Sequence, residues 1–328
     1  MAIPGDLYIS VDFGSSPTKD NGSRPYTGSN PQWNSSSIWL AGGPNDTQTH
    51  VGTPTTIKVR VSNMGESPVR AVRVDAYVMN PHVGLAQPQQ AIQRLSGSVG
   101  SIAAGSGSTS PSDAHVVTCM IQDPAEGPIP WTPTEPELSG TVNGDGHLCV
   151  IANVFADDDG HQLLEGENFN VVDDQHQGQR NIQLLAASKL RPKQAEFLLM
   201  PAPVETETRV AIERVDPEIA IGAGERWLLL SHRDISEDCE KGGLVLHHKG
   251  KRFPLFLSDA ELQVRLTVDD CEESEGWLTP FEQPRRARIR FHLPKEDKLG
   301  ALHVFEIVQR DCEDRALGAL RMLAFVNG

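Results

Sequence analysis

The sequence is short of aromatics, of long apolar runs, of basic charge and of catalytic signatures, and each shortage excludes something. Phe, Trp and Tyr make up only 5% of the 328 residues, thin material for a sugar-stacking face. A net charge of -15 makes nucleic acid and anionic membrane poor partners for the chain as a whole. No apolar run approaches the ~20 residues that membrane insertion by a helix requires. The opening segment MAIPGDLYISVDFG lacks the basic and apolar regions of a secretion signal. Synthesis in the cytoplasm is therefore expected, with export by a signal-independent route, or a place in a larger assembly, left open. The five cysteines, Cys119, Cys149, Cys239, Cys271 and Cys312, are odd in number and never fall in a CxxC spacing, so reduced thiols are expected. HExxH, GxSxG, P-loop and GxGxxG patterns are all missing, and with them the chemistry tied to those local arrangements.

What is present is turn chemistry and two-residue periodicity. The chain carries 29 glycines and 23 prolines, residues that turns consume for their special backbone angles. In TTIKVRVSN, Ile57, Val59 and Val61 share one face, with Lys58 and Arg60 on the other. RAVRVDAYVMN repeats the pattern through Val72, Val74, Ala76 and Val78, and the intervening MGESP reads as a hairpin loop. DLYISVDF, SSIWLAGG, SVGSIAAGSGS, HVVTCMI, HLCVIANVF and RNIQLLAA add further short strands, the arithmetic of a β-sandwich. GLAQPQQAIQRL alone hints at a helical turn, which Pro88 keeps short. Around SKLRPKQ and MPAPVE the pattern pauses, as a linker would. A second β-pattern then runs through TRVAIERV, RWLLLSH, GLVLHHKGKRFPLFL, ELQVRLTV, RARIRFHL, LHVFEIVQR and LRMLAFVNG. The expected architecture is all-β: two Ig-like β-sandwich domains in tandem, at residues 1–190 and 191–328. The first holds 9 basic against 19 acidic residues and the second 20 against 25, so the acidity is concentrated in the first.

Residues 1 to about 186 resemble a bacterial immunoglobulin-like module of the CARDB-like type. The pieces that carry the likeness are DLYISVDFGSSPTKDNGSRP, WNSSSIWLAGGPNDTQTH, TIKVRVSNMGESPVRAVRVDAYVMNPHVGL, the WTP at Trp131–Pro133, HLCVIANV and NFNVVDDQHQGQRNIQL, in that order. Ser37 stands where the family's W-x-S-x-D-I-W pattern has an aspartate. The resemblance implies a scaffold without catalytic machinery, and it carries no active-site residues across. The second half of the chain resembles nothing beyond another all-β sandwich.

Several residues are candidates for chemistry. His147 and Cys149 share a strand face, but zinc takes three or four ligands and no third stands at a usual spacing. The pair reads as a core cysteine with a histidine where the strand begins. Asp157, Asp158 and Asp159 leave the far end of that strand, and Asp173 with Asp174 precede the next one. These five carboxylates are the candidate metal loop, and calcium, which takes six to eight oxygens, is the ion they would suit. A DxDxDG pattern is missing, and acidic loops are usually just solvated. DCE occurs at residues 238–240, 270–272 and 311–313, where acidic neighbours raise a thiol's pKa and argue against a nucleophile. HHKGKR sits where a hairpin turn belongs, and RARIR reads as the solvated face of a strand. Trp39 and Trp227 lie inside apolar runs and are expected in the core. The chain thus reads as a non-catalytic bacterial binding or structural protein that contacts another protein or its own copies through loops and edges. A carbohydrate-binding module and a metal-dependent hydrolase are the alternatives. No cofactor is expected beyond the calcium of the acidic loop.

Overall fold

The computed structural model describes residues 5–13, 20–28, 31–42, 47–106, 114–121, 130–139, 148–157, 161–187, 193–202, 207–215, 223–238, 243–258, 260, 262–269, 271–273, 277–278 and 280–328. The chain is all-β and divides into two compact units, Met1–Asn80 with Ala86–Asn181, and Pro81–Leu85 with Ile182–Gly328. Its strands are β1 (Leu7–Tyr8), β2 (Ile38–Ala41), β3 (Thr56–Asn63), β4 (Val69–Met79), β5 (His82–Val83), β6 (Gln93–Ile102), β7 (His115–Ile121), β8 (Cys149–Phe155) and β9 (Gln177–Arg180). There follow β10 (Ile182–Ala187), β11 (Lys193–Leu199), β12 (Thr208–Arg214), β13 (Ile235–Glu237), β14 (Leu244–His248), β15 (Lys251–Pro254) and β16 (Phe256–Leu257). The last are β17 (Gln263–Val268), β18 (Cys271–Glu273), β19 (Trp277–Leu278), β20 (Arg285–His292), β21 (Ala301–Arg310) and β22 (Ala316–Val326). Among the described residues, two short α-helices, α1 (Glu135–Ser139) and α2 (Ala223–Ser231), and a 3-10 turn at Pro88–Gln90 interrupt them.

In the first unit, β3 is flanked by β7 on one side and by β1 and β2 on the other, and a second sheet runs β6-β4-β8-β9. Alternation does what the sequence implies. Ile57, Val59 and Val61 from one sheet meet Val72, Val74, Ala76, Val78, Val150, Ala152 and Val154 from the other in one buried core. The link MGESP is a correction to the hairpin reading: β3 and β4 belong to different sheets, so the chain arches from one layer to the next. Asn63, fully buried, holds that arch with its side chain. Its Oδ1 accepts from the Asp6 and Gly65 amides, and its Nδ2 donates to the carbonyls of Ser67 and Ala103, all at 2.9–3.0 Å. All seven residues of β8 are buried, so both of its faces are covered. One face meets the core. On the outward side of β4, Tyr77 packs edge-on against Phe169, 4.9 Å between centroids, from the long connection between β8 and β9.

The second unit has a sheet β10-β22-β21-β12-β19, with β16 also pairing β21, a sheet β18-β17-β20-β11-β5, and a three-stranded meander β13-β14-β15. Phe291 of β20 meets Phe305 of β21 edge-on between the two larger sheets. The opposite face of β21 and β22 is covered by α2 and the meander, through Leu228, Leu229, Leu246, Val304, Leu323 and Phe325. The HHKGKR hairpin forms as expected, with Lys249 and Gly250 both at positive φ, the demand of a two-residue turn between twisted strands. The C-terminal LRMLAFV lies within β22, between β21 and β10, and is buried throughout.

Three readings of this half change. RWLLLSH is helical: it contributes to α2, whose Leu228 and Leu229 cover a sheet instead of joining one. The expected linker contains β11, where Ala195, Phe197 and Leu199 alternate inward while Glu196 pairs with Arg288 across the register. RNIQLLAA is divided at Asn181: β9 belongs to the first unit, and β10 pairs in parallel with β22 in the second. The units therefore part at residue 181 instead of 190, and the second also takes Pro81–Leu85, whose β5 pairs β11.

Two substitutions test this packing. A methyl group at Gly178 would stand 2.5 Å from the Ile9 Cγ2, so Gly178→Ala should destabilise the first unit by ~1–3 kcal/mol in denaturant unfolding. In the second unit, buried Arg321 donates from Nε to Glu306 at 2.8 Å and from Nη1 to Glu225, tying α2 to the sheet. Arg321→Leu removes the cation shared by two buried carboxylates and should cost roughly 3–5 kcal/mol; a midpoint unchanged in urea would contradict this.

Candidate functional site

The acidic connection between β8 and β9 is where the candidate residues gather. Of the five aspartates expected there, Asp158 and Asp159 lie outside the described residues. Asp157 is exposed and ion-pairs with Arg73 of β4. Asp173 is exposed and trades 3.3 Å hydrogen bonds with Asn170. Asp174 has a different setting. It meets His161 and His176, and one ligand atom from each of the three lies within 4.8 Å of the other two.

The local fold explains the meeting. Asp174 Oδ1 accepts from the His176 backbone amide and bonds the His176 ring Nδ1, both at 2.9 Å, while Oδ2 accepts from the Gln177 side chain at 2.9 Å. Burial alone would push this carboxyl's pKa up. The hydrogen bonds and the imidazole outweigh it and hold the group below the ordinary carboxylate range. Both histidines are anchored to consecutive residues of β8. The Val154 amide donates to the His176 carbonyl, and the Asn153 side chain donates to the His161 carbonyl, each at 2.9 Å. The two imidazoles stack at 3.7 Å with 11° between their planes. His176 is buried, Asp174 half-buried and His161 exposed, so the cluster opens to solvent on one side. Two imidazole nitrogens and a carboxylate oxygen suit zinc and its transition-metal neighbours better than calcium. Sequence reasoning named Asp174 and missed both histidines. The only local signal was the D-x-H spacing of Asp174 and His176.

The cysteines stand as packing residues. Cys119 and Cys149 are fully buried, and burial pushes both thiols up to about 12. Cys149 Sγ accepts from the Gln179 amide at 3.4 Å, while His147, its expected companion, lies outside the described residues. Of the DCE triplets, Asp311 orders the β21–β22 turn by accepting from the Glu313 and Arg315 amides at 2.9 Å, and Cys312 is exposed. Asp238 faces Arg252 at 3.6 Å; Cys239, Glu240 and Asp270 lie outside the described residues, as do the side chains of Cys271 and Glu272.

Trp39 corrects its expected place in the core. Ile38 and Leu40 turn inward, so strand alternation sends Trp39 to the outer face, half-buried. There the Arg60 guanidinium lies 4.4 Å from the ring centres of both Trp39 and Phe13. Cross-strand register continues this face through Lys58 to Met120 and Thr118 on β7, both exposed. Trp33 and Trp131 are buried, and the side chains of Trp227 and Trp277 lie outside the described residues.

The second unit holds a cavity of about 520 Å³ lined by Arg214, Ser258, Gln263, His303, Phe305 and apolar neighbours. Behind its wall Asp297 accepts from Ser258 Oγ at 2.6 Å and bonds His303 Nε2 at 2.7 Å. The carboxylate thus stands between hydroxyl and imidazole. A serine nucleophile needs the imidazole next to its hydroxyl, so this order ties the chain together instead of activating it.

No family model matches the chain, and no curated protein matches it in sequence. Among solved structures, it is similar to the CupB6 tip adhesin from Pseudomonas aeruginosa at 8% identity, over 99% of this chain and 98% of that one, with a TM-score of 0.22. A bacterial adhesin from Mobiluncus mulieris matches at 9% identity, over 89% and 98%, with a TM-score of 0.24. Red sea bream transglutaminase matches at 10% identity, over 89% of this chain and 32% of that one, with a TM-score of 0.21. At such scores these likenesses carry no argument, and the reading rests on the chain's own geometry.

The cysteine assignments are open to a direct check. In native protein an alkylating reagent should modify Cys312 while leaving Cys119 and Cys149 untouched until the chain is unfolded, as read by peptide mass spectrometry. Cys149→Ser should cost ~1–3 kcal/mol for a buried hydroxyl in a thiol's place. Rapid native labelling of Cys149 would show that the strand is not the closed core described here.

Proposed function

We propose that the chain is a non-catalytic binding or structural protein that contacts another protein or its own copies through the open face and edge of its first unit. The observation that carries this reading is the outer surface of β2, β3 and β7. Trp39, Arg60, Lys58 and Met120 form a mixed aromatic, basic and apolar face ending at β7, which pairs with β3 alone among the described strands. Trp, Arg and Met are the side chains enriched where proteins meet, since each covers a large area with a polar or polarisable contact. An edge strand adds unpaired backbone groups that must be blocked, covered or used. This basic face on an acidic half of the chain favours a partner surface bearing carboxylates. The CARDB-like resemblance of the first unit accords with a scaffold role.

The alternatives fare less well on specific grounds. A sugar would stack on a free aromatic face, but on Trp39 the Arg60 guanidinium already lies over the ring at 4.4 Å. A hydrolase working through a serine or cysteine of its own would need an activated nucleophile, and the buried thiols and the Asp297-bridged Ser258 are the reverse of that.

A photo-crosslinking residue at position 120 tests the proposal, with Val51, 47% exposed in the same unit, as the control position. Position 120 should give one defined adduct, either to a second copy in purified protein or to a discrete species in lysate of the native host. Position 51 should give none. Equal adducts from both positions, or none from 120, would count against the face. Sustained turnover in hydrolase, glycosidase or protease screens would overturn the non-catalytic reading itself.

A further inference from the structure

We propose that His161, Asp174 and His176 bind a single divalent transition-metal ion, with zinc the best match to their chemistry. This site is independent of the protein-contact face, and either can fail without the other. The three side chains already converge, each offering a ligand atom within 4.8 Å of the others. Ligands held ~2.0–2.1 Å from a tetrahedral zinc stand about 3.3 Å apart. For all three to ligate one ion the ligand atoms must draw in by up to about 1.5 Å and the stacked rings must tilt toward it.

The donors are of the right kind. Asp174 supplies a carboxylate oxygen, and the two imidazoles supply the nitrogen ligands that zinc accepts and calcium avoids. The supports are in place as well. His176 is pinned to Val154 and His161 to Asn153, adjacent residues of a fully buried strand. The same Asn153 amide buries its oxygen with no hydrogen-bond partner among the described residues, a spare acceptor next to the anchor. Exposed His161 leaves the fourth position of the ion open to water. Bound there, the ion would clamp the start of the β8–β9 connection to its end.

The test uses the full chain, stripped with chelator, dialysed and titrated with zinc against a chromogenic competitor; cobalt serves as the spectroscopic probe. Wild type should take up one zinc, gain melting temperature with it, and give with cobalt the intense visible bands of a four-coordinate site. His161→Ala should lose affinity by at least about tenfold while keeping its circular dichroism and metal-free melting temperature, because His161 is exposed. Asp174→Asn, which keeps the shape and removes the charge, should lose affinity as well. If wild type takes up no zinc, or His161→Ala binds it with wild-type stoichiometry and affinity, the proposal is wrong.

Discussion

The end of the first unit that holds the histidines depends on the burial of a strand with no hydrophobic side chain. β9 reads Gln-Gly-Gln-Arg, yet all four residues are buried. An unsatisfied buried polar group costs ~1–3 kcal/mol, so such a strand survives only if its neighbours meet its hydrogen bonds. They meet most of these, from both layers, though not the Arg180 Nε. β9 pairs with β8 of one sheet, while Arg180 donates to Asn34 at 2.6 Å, the Ser35 amide to the Gln179 carbonyl at 2.7 Å, and the Asn181 amide to the Trp33 carbonyl at 2.9 Å. The segment at 33–35 leads into β2 of the opposite sheet, so β9 is the seam between them. Gly178 lets that seam close against Ile9 and Ile38. With β9 fixed, the residues just before it, Asp174 and His176, have one place to go.

This seam also marks where the sequence was legible and where it was not. Period-two alternation is a property of single strands, and it located β3, β4, β20 and the facing of Lys58, Arg60 and the RARIR arginines correctly. Partnering is a property of pairs, and there the reading slipped. MGESP looks like any short hairpin link, and only the four hydrogen bonds of Asn63 make it an arch between layers. RNIQLLAA looks like one strand, but the demands of β8 and β22 divide it at Asn181. A continuous apolar run such as RWLLL has no period to separate strand from helix, so what it covers decides. Here it covers a sheet face, with Glu225 reaching Arg321 from the first turn of the helix.

The candidate site divides in the same way. Carboxylates crowded into one connection are visible in any sequence, and Asp174 was singled out on that ground. His161 and His176 are far apart along the chain and become neighbours only because Asn153 and Val154 are consecutive on β8 and each holds one of them. No spacing rule contains that information. Trp39 was misplaced for a related reason. Its apolar neighbours hide that it stands out of phase with Ile38 and Leu40, and the ring is covered by Arg60 instead of by a core.

The two faces of the first unit then differ in a way that bears on function. On the β4–β8 side, the outward residues Tyr77, Ile151 and Asn153 are buried because the chain supplies its own cover in the β8–β9 connection, with Phe169 and Val171 among its buried residues. On the β2–β3–β7 side the described residues that cover the face include Phe13 and a half-buried arginine, and the face runs out to exposed Met120. Among the described residues an aromatic, a guanidinium and a thioether stand side by side on this face, and that is the physical reason to look for contacts there. The same asymmetry explains why the histidine cluster belongs to a separate account: it sits in the covering connection, where an ion can fasten the cover without touching the open face.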